Sequence, residues 1–165
     1  MIGNDIVDLA LAKKQSNWRR KGYLEKIFTQ QEQHLINNTQ NPNLMVWNLW
    51  SRKEAAYKIY NRETSIRAFI PLQLECSYES ENIGTVSCRG FEYFTKTVLS
   101  EDFVYTIAVS QQDLFKTIAA IVIEDKIIKV DGIPFLENQN SSFKRVVSIT
   151  HHGRFWKGIA LKFEY

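Results

Sequence analysis

Apolar and polar positions alternate with a helical period through the first third of the chain and with a strand period after it. Ile2, Ile6 and Val7 open a short strand over residues 1–9, in which Gly3 lets the backbone approach a neighbour closely. Asp8 is placed to N-cap a helix that runs from residue 9 to about residue 16. After Gly22, residues 23–28 form a short apolar-faced segment. Thr29-Gln30-Gln31-Glu32 is then a capping box that starts a helix through about residue 37. A polar turn over 37–43 contains Pro42. The longest helix follows, over residues 43–61, free of Gly and Pro and rich in Ala, Leu, Met, Lys and Glu.

Beyond Asn61 the spacing predicts strands at 69–77, 85–98, 103–110, 114–123, 126–130, 144–150 and 155–163. Turn residues separate them, at 81–84, 100–102, 111–113 and Asp131-Gly132-Ile133-Pro134. The long 85–98 run is expected to bulge or break at Gly90. Short turns imply antiparallel pairing. Helices gathered early and strands late give an α+β fold, an antiparallel sheet packed against helices in one domain over 1–165.

Composition narrows the class. At 165 residues the chain can bury a core without staples, and its 44% hydrophobic and 24% charged content is that of a globular protein. The aromatic share of 13% fills a core or walls a pocket. A net charge of +3 is too small to argue for nucleic acid and suits an acidic partner or a phosphate-bearing ligand. Cys76 and Cys88 have no metal-type spacing and read as reduced thiols. With no signal peptide and no membrane-length apolar run, the chain is expected to be soluble and cytoplasmic.

Candidate chemistry sits on the long helix and at both chain ends. Trp47, Trp50, Glu54, Lys58 and Asn61 share one helical face, and Lys53 and Tyr57 lie on the adjoining stripe. The plain reading is a solvated Glu54–Lys58 pair worth about 0.2–0.5 kcal/mol. Asp5 is anomalous, since an aspartate is disfavoured in a strand and costly to bury unpaired; it is either at a solvated edge or a ligand for a hard cation. Near the other end, Thr150-His151-His152-Gly153-Arg154 closes one strand, and His151 there either meets an anion or bonds its own turn. Arg19-Arg20-Lys21 is either a solvated face or a docking patch for an acidic partner. His34 faces solvent and is assigned nothing.

Four stretches resemble the 4′-phosphopantetheinyl transferase superfamily. They are Gly3-Asn4-Asp5-Ile6-Val7-Asp8, Trp50-Ser51-Arg52-Lys53-Glu54-Ala55-Ala56-Tyr57-Lys58, Ser148-Ile149-Thr150-His151, and Tyr23-Leu24-Glu25-Lys26-Ile27-Phe28-Thr29 with Glu32. The last is similar to a segment of the holo-acyl-carrier-protein-synthase branch, and all four occur in that branch's order. The resemblance implies transfer of the phosphopantetheine arm of coenzyme A to a serine of an apo acyl or peptidyl carrier protein, releasing adenosine 3′,5′-bisphosphate. It implies Mg²⁺ held by Asp5 and Glu54, with Glu54 and Lys58 catalytic. Coenzyme A would be bound by Lys58, His151 and, more weakly, Lys53, with Arg62 as this chain's own charged replacement for backbone contacts of the family's turn.

Three departures stand out. Val7 occupies a position where many members carry a second acid. Asn61-Arg62-Glu63-Thr64-Ser65 replaces the usual glycine-containing turn. Residues 66–124 are an inserted, mostly β segment relative to the small branch. The extra strands either let a monomer complete its own site or cap a trimer, and a homotrimer is expected, because the metal motif occurs once. The competing reading is a binding module for coenzyme A or a carrier protein that keeps the fold without catalysis; fortuitous motif matches in a small interaction protein come last.

Overall fold

In a computed structural model of the protein, residues 1–122, 126–136 and 145–162 are described. Strand β1 (Ile2–Asp8) leads into helices α1 (Leu9–Gln15), α2 (Tyr23–Ile27), α3 (Gln30–Asn38) and the long α4 (Pro42–Thr64). Asp8 N-caps α1, accepting from the N–H groups of Ala10 and Leu11. Thr29 and Glu32 form the full capping box at α3. Pro42 opens α4, where its missing N–H costs nothing, and Asn41 caps it. The helix ends at Ser65, whose φ of 58° is the left-handed conformation that glycine ordinarily takes at this position.

Strands β2 (Glu75–Tyr78), β3 (Ile83–Cys88), β4 (Phe91–Leu99) and β5 (Phe103–Val109) follow, then β6 (Ile118–Ile121), β7 (Ile127–Val130), β8 (Ile133–Leu136), β9 (Arg145–His152) and β10 (Phe155–Leu161). They build two five-stranded antiparallel sheets, ordered β1-β5-β4-β3-β2 and β6-β10-β9-β8-β7. The expected 66–124 segment supplies β2 to β6, and β5 pairs with β1 along its whole length. That segment is therefore woven into both sheets, β2 to β5 into the first and β6 into the second.

Several expected strands change. Pro71–Gln73 and Gln112–Thr117 form 3₁₀ turns, which shortens the strands expected at 69–77 and 114–123. The 85–98 run does break at Gly90, where Arg89 (φ 49°) and Gly90 (φ 87°) make a hairpin turn. Asp131 (φ 52°) and Gly132 (φ 78°) make another. Ile133 and Pro134 start β8 rather than extending that turn. Ile123, Glu124, Lys144 and Phe163, the outer ends of expected segments, lie outside the described residues.

Helix α4 lies across the first sheet, burying Leu49, Ala55, Ala56 and Ile59 against residues such as Val86, Val104 and Ala108. Gly3 makes that contact possible, because a Cβ there would collide with the Ala55 carbonyl oxygen. Ile2, Val109 and Ile159 form a second cluster where the two sheets meet.

Candidate active site

The edge of β1 that faces away from β5 is not completed by another ladder of backbone hydrogen bonds. Side chains complete it. The N–H groups of Asn4, Ile6 and Asp8 donate to Ser148 Oγ (3.0 Å), Thr150 Oγ1 (3.2 Å) and His152 Nδ1 (2.8 Å) of β9. Successive alternate residues of one strand thus meet alternate residues of the other, as the strand period requires. The carbonyls along the same seam are met from α4. Lys58 Nζ donates to Asn4 O (2.5 Å) and Ile149 O (3.1 Å). One turn on, Arg62 donates to Ile2 O (2.9 Å) and Val147 O (2.7 Å). Two cations and three polar side chains therefore hold the two sheets together.

The candidate site opens along this seam. A cleft of about 230 Å³ is walled by Asp5, Trp47, Trp50, Glu54, His151 and His152 among others. An adjoining cleft of about 350 Å³ is walled by Lys58, Arg62, Lys129 and, again, His151. His151 is the exposed residue common to both. On its other flank Glu54 reaches a cavity of about 340 Å³ bounded by Tyr57, Phe69, Ile70, Pro71 and Leu74.

Burial and mutual repulsion set the electrostatics of the acid cleft. Desolvation raises the Asp5 carboxyl to about 6, opposed by the charge of Lys58 and by hydrogen bonds from Thr150 and Ser51. Thr150 Oγ1 donates to Asp5 Oδ1 at 3.3 Å. Glu54 rises to about 7, first through burial and then through the neighbouring Asp5, against the pull of Lys58. Burial lowers Lys58, and it lowers Arg62 to about 10. Two carboxylates that repel one another and lack a full complement of donors are a fit for a divalent cation that also keeps waters and phosphate oxygens. No cluster of three or more His, Cys, Asp or Glu side chains with metal-holding geometry occurs among the described residues.

Of the residues predicted from sequence, Asp5, Glu54 and His151 meet on one cleft, and Lys58, Arg62 and His151 on the next. Lys53 is a correction. Its side chain is 0% exposed and pairs with Glu32 at 2.7 Å. It also donates to Pro71 O at 2.8 Å. A lysine so enclosed has no face to offer a phosphate. The seam residues Ser148 and His152 were missed as partners of β1, although 148, 150 and 152 share one strand face by period alone.

Paired carboxylates beside paired cations suit a ligand that carries phosphate. The chain belongs to the 4′-phosphopantetheinyl transferase superfamily, whose family model matches residues 1–108, from β1 into β5. No curated relative matches the chain. Two solved structures show the fold. An apo holo-acyl-carrier-protein synthase structure from Chronobacterium ammoiniagenes aligns with a TM-score of 0.53 at 14% identity, covering 66% of this chain and 93% of that one. The Helicobacter pylori holo-[acyl-carrier-protein] synthase, solved in complex with coenzyme A, aligns with a TM-score of 0.50 at 17% identity, covering 66% and 98%. No helix among the described residues is long and apolar enough to cross a membrane.

Proposed function

We propose that the protein transfers the 4′-phosphopantetheine arm of coenzyme A to a serine of an apo acyl or peptidyl carrier protein, as a holo-acyl-carrier-protein-synthase-type enzyme. The observation that carries this reading is the pair of adjoining clefts, one acidic and one basic, joined at His151. Lys58 and Arg62 hold phosphate oxygens in the basic cleft, and His151 reaches the 3′-phosphate. Asp5 and Glu54 hold Mg²⁺, which supplies charge neutralisation at the pyrophosphate when bound. The mainly apolar cavity beside Glu54 takes the pantetheine arm.

The serine oxygen forms a bond to the phosphorus nearer the pantetheine. The bond from that phosphorus to the bridging oxygen breaks, and adenosine 3′,5′-bisphosphate leaves with the electron pair. Glu54, which lines the acid cleft beside Asp5, receives the serine proton. Lys58 faces the charge that grows on the leaving oxygen, because its ammonium has three N–H donors and the seam takes two. Arg19, Arg20 and Lys21, all exposed, form the surface for an acidic carrier protein.

Intact-mass spectrometry of an apo acyl carrier protein incubated with this protein, coenzyme A and Mg²⁺ tests the reading, with light scattering on the same sample to tell the expected trimer from a monomer. A mass gain of one phosphopantetheine, lost with EDTA, is expected. Coenzyme A binding without any gain across several carriers would make the protein a binding module instead.

A further inference from the structure

The seam fixes which nitrogen of His152 carries a proton. The Asp8 backbone N–H can only donate, and it meets Nδ1 at 2.8 Å. Nδ1 therefore presents its lone pair, and the proton of the neutral ring sits on Nε2. That Nε2–H has no hydrogen-bond partner among the described residues, and the ring walls the acid cleft beside Asp5 and Glu54. Trp47 walls the same cleft, and its indole Nε1–H is buried with no acceptor among the described residues. His152 thus brings a neutral donor without a partner among the described residues to a cleft whose charged side chains are both carboxylates. A phosphate oxygen needs donors there. A lysine or arginine in that place would pair with the carboxylates and compete with a cation for them; a neutral N–H does neither.

We propose that His152 is a substrate-binding residue whose Nε2–H donates to an anionic oxygen of the phosphate lodged in the acid cleft. This rests on the transferase reading and adds to it a residue distinct from His151. The two imidazole nitrogens then have separate jobs: Nδ1 ties β9 to β1, and Nε2 holds the ligand.

Amide side chains separate those jobs. In His152→Asn the amide oxygen takes the place of Nδ1 and nothing takes the place of Nε2; in His152→Gln the amide group stands where Nε2 was. Coenzyme A is titrated calorimetrically into each variant with Mg²⁺ present, and thermal unfolding is followed in parallel without ligand. We expect H152N to keep the wild-type Tm and bind coenzyme A roughly tenfold more weakly, the effect of one hydrogen bond to a charged acceptor. H152Q is expected to melt earlier and, below its Tm, to bind with near-wild-type affinity. Wild-type affinity in H152N would overturn the proposal, and so would an equal loss of affinity in both variants, which would make His152 a purely structural residue. A wild-type protein that fails to bind coenzyme A would remove the transferase reading, and this inference with it.

Discussion

Helix α4 carries two inward-facing lysines, Lys53 and Lys58, and their surroundings teach different lessons about buried charge. Lys53 meets Glu32, and every oxygen of that glutamate is answered. Oε2 accepts from Lys53 and from the Thr29 N–H, and Oε1 accepts from the Cys76 N–H at 2.8 Å. The pair joins α3, α4 and β2 into one unit. Lys58 instead spends its donors on two backbone carbonyls of the seam, and no carboxylate lies within ion-pair distance of it among the described residues. Asp5 and Glu54 titrate far above their ordinary range, both through burial and Glu54 further through the neighbouring Asp5. Completeness of pairing, more than depth of burial, separates a structural staple from a site that still calls for positive charge.

The sharpest way to break this comparison is to remove one acid from each cluster. Glu54→Ala or Asp5→Ala is expected to lower transfer by about a thousandfold or more in single-turnover assays. The Tm should hold or rise, since a repelling partner is gone. Glu32→Ala should cost about 3–5 kcal/mol in denaturant melts, because Lys53 is then buried without its partner. Near-normal transfer by Glu54→Ala, or a wild-type melt for Glu32→Ala, would erase the distinction.

A second effect follows from the raised carboxyls. The native protein binds more protons than the unfolded chain between the ordinary carboxylate range near pH 4 and a pH of about 7. Stability from these groups is therefore full at the acid end of that window and falls as pH rises through it. In EDTA the Tm should drop by several degrees from pH 5 to pH 7.5, and Glu54→Gln should flatten the slope. A Tm that rose across this range in Glu54→Gln and wild type alike would show that other groups dominate. The smallest effect belongs to the exposed surface. Replacing Arg19, Arg20 and Lys21 with Gln should raise KM for the carrier protein severalfold and weaken its salt dependence while leaving the melt unmoved. An unchanged KM would take the docking role away.

How much of this was legible in the sequence depends on how far apart the partners lie along the chain. The Asp8 cap, the Thr29–Glu32 box, the extent of α4 and the break at Gly90 are written within a few residues, and the sequence reading finds them. The strand β8 is lost because Ile133 and Pro134 follow an Asp-Gly pair and read as more turn; Pro134 fits because, among the described residues, β9 meets β8 at Phe135 and Leu136 and not at Pro134. Lys53 is misjudged because two neighbouring stripes of one helix look alike until α3 brings Glu32 against one of them. The family pattern drew attention to Asp5, Glu54 and Lys58, and the adjoining clefts they line give that pattern its physical sense. His152 goes unassigned because its partner is 144 residues away.

That separation also sets an order in time. β1, α4 and β2 to β5 hold their own core and are synthesised first. While β9 is still unmade, the N–H groups of Asn4, Ile6 and Asp8 have only water to meet, and His151 is absent from both clefts. A chain emerging from the ribosome therefore packs its first sheet before it completes the two clefts, which stay open on one side until β9 is made.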